Sequence, residues 1–182
     1  ATRLSRMMNW EYDGFFRIGM HHRQERDAAI QHGTMTLIRA AALRGVGGWD
    51  TGSICEDTEL GLRLLRQGLR VIYVDQVLGT GLVPSDFAAY QRQRRRWAQG
   101  AMQILRRHRG ALLGKSRLRL AQRYHFFAGW LPWLGDALHL GFSVVAIGWT
   151  LGVLTAPQIF GLPTPLFVTP LMVFIALRLL LG

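Results

Sequence analysis

The chain has 182 residues, a formal net charge of +11 and a pI near 11.4. That length fits one domain, or a domain with an appendage. The single cysteine, Cys55, excludes an intrachain disulfide and a cysteine zinc site, and the six histidines contain no H-x-x-x-H pair.

The basic balance points to polyanionic partners: nucleic acid, anionic lipid or phosphate-bearing substrates. Arginine's planar fork suits phosphate. A general arginine bias, with Lys115 the one lysine, accounts for the excess equally well.

The first residues hold no apolar run of signal-peptide length. Residues 10–29, "WEYDGFFRIGMHHRQERDAA", are helix-like. "HGTMTLIRAAAL" opens as a short strand, "TMTLI", and passes into a helix. "GVGGWD" is a glycine-rich turn. In "SICEDTELGLRLLRQG", Ser53 and Glu56 have capping-box spacing, Leu60, Leu64 and Leu65 make an apolar stripe, and Gly68 fits a C-cap. "RVIYV" (70–74) reads as a short buried strand. The next helix has Ser85 or Asp86 as N-cap and Gly110 as its stop. The first zone is therefore α/β.

Residues 91–123 carry half of all basic residues and no acid. Residues 116–138 mix arginine with Trp, Phe and Leu, as a segment lying at a membrane surface does. A core-facing helix has the same pattern. From Leu140 to Leu177 there is no Asp, Glu, Lys or Arg. Residues 139–156 are long enough to cross a bilayer as a helix, Pro157 stops it, and a second apolar segment begins near Leu166. A buried hairpin of a large soluble protein is the competing reading. The positive-inside rule puts the basic zone and all before it in the cytoplasm.

Glu56 and Asp57 stand in the first turn of a helix, where capping and the macrodipole favour acids in any case. The same place suits a general base held rigidly at a cleft. On the following helix Gln93, Arg96 and Trp97 fall at i, i+3 and i+4, while Arg94 and Arg95 point elsewhere, to the surface. Arginine grips a diphosphate bidentately, and an indole offers a platform for a sugar ring. A core tryptophan among solvated arginines fits the pattern as well.

"CEDTELGLRLLRQGLRVIYVD" followed by "YQRQRRRWAQGAMQIL" resembles the paired T-E-D and Q-x-x-R-W motifs of processive family 2 glycosyltransferases, the membrane-embedded cellulose, chitin, hyaluronan and related β-glucan synthases. "QHGTMTLIRAAALRGVGGWD" is similar to the family's F-x-C-G-[ST] block, and "EYDGFFRIGM" resembles bacterial β-glucan enzymes other than cellulose synthase. Cys55 stands where Thr is usual, His32 where Cys is usual, and Gln31 where an aromatic is usual.

The resemblance implies the C-terminal part of a nucleotide-sugar-binding, glycosyltransferase A-type catalytic domain over 1–110. It implies an amphipathic interface segment over 111–137 and about two transmembrane helices over 138–182, the second truncated. It implies Asp57 as general base with Glu56 as its motif partner, and Gln93 and Arg96 at the donor diphosphate. Trp97, His32, Gly33 and Thr34 would line the acceptor site. The expected reaction is inverting transfer of a sugar, glucose first among candidates, from a UDP-sugar to a growing β-glycan. The expected setting is a bacterial plasma membrane, multi-pass, with the catalytic part cytoplasmic.

The family's divalent cation, Mg2+ or Mn2+, is held by a D-x-D motif, and this sequence contains none. The resemblance thus places the metal ligands and the uridine-binding half outside this segment. The segment alone is expected to be inactive and poorly stable. Two other readings remain. One is a non-catalytic basic protein that binds anionic membrane or nucleic acid through residues 91–123. The other is a non-processive family 2 transferase with a lipid acceptor.

Overall fold

The structure, a computed structural model, describes residues 2–161 together with 168, 169, 172, 173 and 176. It divides into two units, Ala1–Trp133 and Leu134–Gly182.

The first unit opens with α1 (Arg3–Gly14), capped by Thr2, whose hydroxyl accepts from Ser5 N at 3.1 Å. α1 continues into a π-helical stretch, Phe15–Met20, and then α2 (His21–Glu25). A short α3 (Ala40–Gly45) precedes the glycine turn. α4 (Glu56–Arg66) and α5 (Phe87–Leu113) follow, and α6 (Leu120–Thr155) begins in this unit.

The two expected strands do not form. Among the described residues no strand occurs. A strand exists only where a neighbour takes its alternate N–H and C=O groups, and among the described residues neither 34–38 nor 70–74 is paired in a ladder. The alternation in 70–74 survives without a ladder. Val71 packs on the core while Ile72 and Val74 are exposed. The Tyr73 N–H is taken by the Gln24 side chain instead.

α4 shows what its sequence specifies and one thing it does not. Its leucines Leu60, Leu64 and Leu65 are buried. It ends in a Schellman motif: Gly68 at φ 78° donates to Leu65 O and Leu69 N to Leu64 O. The Ser53–Glu56 capping box is absent. Cys55 is the N-cap, with no side-chain cap bond. The preceding loop is instead held by α5, whose Gln103 side chain accepts from Ile54 N at 3.1 Å.

α5 is capped by Asp86, which accepts from Ala89 N at 2.8 Å. It does not stop at Gly110. It bends at His108 (φ −107°, ψ 15°) and runs on to Leu113. The bend accompanies a buried polar cluster. His108 Nε2 lies 2.8 Å from Glu59, which also pairs with Arg63. Arg63 in turn donates to the carbonyls of Val46 and Gly48 in the glycine turn. Removing one partner of so buried an ion pair leaves a charge uncompensated. The cluster thus fixes α4, the turn and the C-terminal part of α5 together.

The core comprises Leu62, Leu65, Ala101, Ile104, Leu112, Leu118, Phe126 and Trp130. Four of these come from 111–137, so one face of that segment is committed to the core. Leu120, Tyr124 and Leu131 remain exposed on it. Asp27, in the left-handed region at φ 51°, ties the end of α2 to Arg70 and to Arg119, whose hydrogen bond chiefly holds its carboxyl below the usual range.

In the second unit α6 continues to Thr155. Among the described residues it is the one helix long and apolar enough to cross a membrane. Its part from 134 onward is about 33 Å long, close to a bilayer's hydrocarbon core. Near its end, Trp149 Nε1 donates to Gly161 O at 3.1 Å and the indole meets Phe160 edge-on. The second apolar segment lies mostly outside the described residues.

Candidate active site

Asp57 sits in the first turn of α4. Its Oδ1 accepts from Thr58 N at 2.7 Å. Its Oδ2 faces Gly33 so closely that a Cβ there would stand 3.3 Å from it. One turn on, Gly61 meets Gln31, whose Cβ would lie 3.0 Å from a Cβ on Gly61. Positions i and i+4 share a helix face. The segment 31–33 therefore lies along α4, over Asp57 and Gly61. Small residues at Gly33 and Gly61 permit that approach.

His32 is half-buried beside them. Its ring meets Phe15 and Phe16 edge-on, with centroids 5.2 and 5.4 Å away, and Nε2 lies 3.4 Å from Met20 Sδ. All three neighbours belong to the π-helical stretch, a feature frequent at functional sites. Burial pushes the His32 pKa down, with Arg23 adding to that and Asp57 opposing it. That shift favours the neutral ring. Thr34 is exposed, and its carbonyl accepts from Thr36 Oγ1 at 3.2 Å. Glu56 is exposed and makes no ion pair among the described residues.

α5 is locked to the start of α4 at Gly100. A Cβ on Gly100 would stand 2.3 Å from Cys55 Sγ. The contact runs on through Gln103 to Ile54 N and through the Arg107–Asp50 ion pair. Arg96, one turn before Gly100, is exposed and near enough to Cys55 to act on its thiol. Gln93 and Trp97, expected to converge with Arg96 on one patch, meet α1 instead. Tyr12 Oη donates to Gln93 Oε1 at 3.2 Å, and its ring lies 6.4 Å from that of Trp97.

The structure therefore brings Asp57, Gly33 and His32 together, and sets Arg96 beside the α4 start. Gln93 and Trp97 share Tyr12. Arg95 is exposed, as its spacing predicts, but Arg94 is not at the surface. Its side chain is 14% exposed, and it pairs with Glu11 at 2.6 Å. Its guanidinium lies over Trp97 and Tyr90 at 4.6 and 4.7 Å from their centroids. The sequence does carry a signal for this. Tyr90, Arg94 and Trp97 have i, i+4, i+7 spacing, one stripe of a helix. Glu11, Tyr12, Phe15, Phe16 and Met20 are the other neighbours that motif reading missed.

Among the described residues no three His, Cys, Asp or Glu side chains cluster as a metal site. No described residue is therefore assigned to a divalent cation.

Residues 5–181 match the family model described as "Glycosyl transferase family group 2". The chain belongs to this family. Membership implies a glycosyltransferase A-type domain. Among curated relatives, Cellulose synthase 2 of Novacetimonas hansenii is 38% identical over 97 residues, which is 53% of this chain and 6% of that protein. Cellulose synthase 1 catalytic subunit [UDP-forming] of Komagataeibacter xylinus is 35% identical over 97 residues, 53% of this chain and 13% of that protein. Probable glucomannan 4-beta-mannosyltransferase 2 of Oryza sativa subsp. japonica is 29% identical over 94 residues, 52% of this chain and 16% of that protein. The chain spans less than a quarter of the length of each of these relatives. It is a cellulose synthase-like member of the group.

In this family 2 chain Cys55 is sheltered. Burial first, then Asp57 and Glu56, push its thiol up to about 11, against the pull of Arg96. The thiolate is the reactive form. Alkylation of Cys55 at pH 8 is therefore expected to run about a hundredfold slower than that of an ordinary exposed cysteine, and to rise about tenfold per pH unit up to pH 10. Peptide mass spectrometry after timed iodoacetamide treatment reads this. A rate that levels off below pH 9 contradicts it.

Proposed function

We propose that the protein carrying this chain is a membrane-bound inverting glycosyltransferase that moves glucose from UDP-glucose onto a growing β-glycan. The observation that carries this reading is the joint between α4 and α5. Gly100 against Cys55 sets the helix bearing Gln93, Arg96 and Trp97 beside the start of the helix bearing Asp57. The name of a relative, a UDP-forming cellulose synthase subunit, supports UDP as the leaving group.

In this reading an acceptor hydroxyl gives its proton to Asp57 as its oxygen attacks C1 of the donor sugar. The C1–O bond to the diphosphate breaks on the opposite face, and UDP departs with the bonding pair, so the anomeric centre inverts. Asp57 is the base. Glu56 is its motif partner. Arg96 and Gln93 meet the diphosphate, where a guanidinium matches the charge that develops. Trp97, His32, Gly33 and Thr34 line the acceptor. Neutral His32 offers the sugar a hydrogen bond without placing a cation beside Asp57. The part of α6 from 134 onward crosses the bilayer, a second apolar segment follows, and the basic side faces the cytoplasm of a bacterium. A divalent cation is held by residues outside this segment.

The purely electrostatic reading of 91–123 treats its arginines alike. Arg94, clasped between Glu11 and two rings, is not equivalent to the exposed Arg95.

Labelled UDP-glucose supplied to the intact enzyme in membranes is expected to yield a polymer. Arg96→Ala should lower the rate about 10²- to 10³-fold, as loss of one charge-stabilising group does. Polymer formed from a mannosyl nucleotide and not from UDP-glucose overturns the donor. An unchanged rate in Arg96→Ala overturns that residue's role.

A further inference from the structure

We infer that Arg94 is a positioning residue for a carbohydrate acceptor, acting through Trp97. This rests on the reading of Trp97 as the acceptor platform and adds to it the group that holds the platform in place.

The geometry is specific. The Arg94 guanidinium lies 4.6 Å from the Trp97 ring centroid, 4.7 Å from that of Tyr90 and 6.0 Å from that of Tyr12. One cation thus serves three rings. Its Nη2 pairs with Glu11 at 2.6 Å, which fixes where the charge sits. Its Nε is buried and has no hydrogen-bond partner. A buried donor without a partner carries a free-energy cost, so the side chain is held by ring stacking and the Glu11 pair together. Tyr12 completes the clasp: its ring is tilted 57° to the indole and its hydroxyl binds Gln93.

An indole has two faces, and Arg94 covers one. Tyr12 is tilted and 6.4 Å away, so it does not stack on the indole. Trp97 is half-buried. A platform for a sugar must keep one face free and must not rotate. A guanidinium held over the ring and anchored by Glu11 restrains that rotation. A lysine ammonium, compact and strongly hydrated, keeps the Glu11 pair and a point charge, but lacks the planar group that serves three rings at once. Lysine at this place therefore separates positioning from simple attachment of α5 to α1.

The test uses the intact enzyme in membranes, with UDP-glucose as donor and polymer length as readout. A loosened platform releases the chain sooner, so Arg94→Lys, which cannot serve all three rings, is expected to shorten the mean product about fivefold, the factor that loss of one ring contact gives. The donor KM should stay within about twofold, because Arg94 itself is given no donor contact and Tyr12 keeps its bond to Gln93. Arg95→Lys, at an exposed site, is the control and should match the parent.

Trp97→Ala is run alongside. If it leaves product length unchanged, the acceptor reading of Trp97 fails and this inference falls with it. If Trp97→Ala shortens the product and Arg94→Lys does not, the Arg94 role alone is overturned. A loss of rate in Arg94→Lys at unchanged length also overturns it, since that is what a merely structural tie predicts. Should Arg94→Lys not fold, Glu11→Gln decides. It leaves the ring stack in place and weakens the anchor, so a product about twofold shorter supports the role and an unchanged length overturns it.

Discussion

Asp57→Asn is expected to lower glycosyl transfer about 10²- to 10⁴-fold while leaving the fold intact. General bases contribute on that scale, about 3–5 kcal/mol of barrier. The substitution is chosen for what it keeps. Asparagine has nearly the same volume, so the approach of Gly33 to Oδ2 is preserved. Its amide oxygen can still accept from Thr58 N, the bond that orients the carboxylate. What it cannot do is take a proton from an acceptor hydroxyl. Donor binding should persist in the variant, so UDP-glucose protects it from unfolding as it protects the parent. Glu56→Gln should cost less, because Glu56 is exposed and holds nothing among the described residues. Polymer formation by Asp57→Asn at the parental rate would remove Asp57 as the base.

Much of the helical scaffold was legible because its determinants are local. Asp86 caps α5 three residues ahead, and Gly68 ends α4 with the left-handed turn that glycine permits. The features that failed depend on chain far away. A strand is defined by its neighbour, so "RVIYV" could show its alternation but not its pairing. The Ser53–Glu56 box lost to Gln103, which reaches Ile54 from another helix. The site divides the same way. The E-D pair and Gln93, Arg96 and Trp97 are readable as motifs. The stripe Tyr90, Arg94 and Trp97 is readable too, but its partners Glu11 and Tyr12 are not, since they come from α1, 83 residues away in the case of Glu11. The π-helical stretch that supplies Phe15, Phe16 and Met20 to His32 is invisible to a 3.6-residue period.

Gly100→Ala is the second large effect expected, and its sign opposes the intrinsic preference. In a helix interior alanine is normally favoured over glycine by about 0.5–1 kcal/mol. Here the new Cβ would stand 2.3 Å from Cys55 Sγ, 2.9 Å from Cys55 Cβ and 3.2 Å from its backbone N. The sulfur can turn away. The Cβ and the nitrogen cannot, because they belong to the N-cap of α4. The helices must part. Overpacking of this kind costs about 1–3 kcal/mol, enough to outweigh the propensity gain. The larger consequence is geometric. The start of α4 carries Asp57, and Trp97 is less than one turn from Gly100, so separation moves the proposed base and the proposed platform apart. A misplacement near 1 Å costs about a hundredfold in rate. Cys55→Ala should recover part of that loss, since it removes the sulfur and leaves the Cβ and backbone contacts. The coupling in a double-mutant cycle between positions 55 and 100 measures the contact directly. A Gly100→Ala enzyme that is more stable and fully active would mean that α4 and α5 do not meet there. The link between the carboxylate and the Gln93–Trp97 helix would then have to be sought elsewhere.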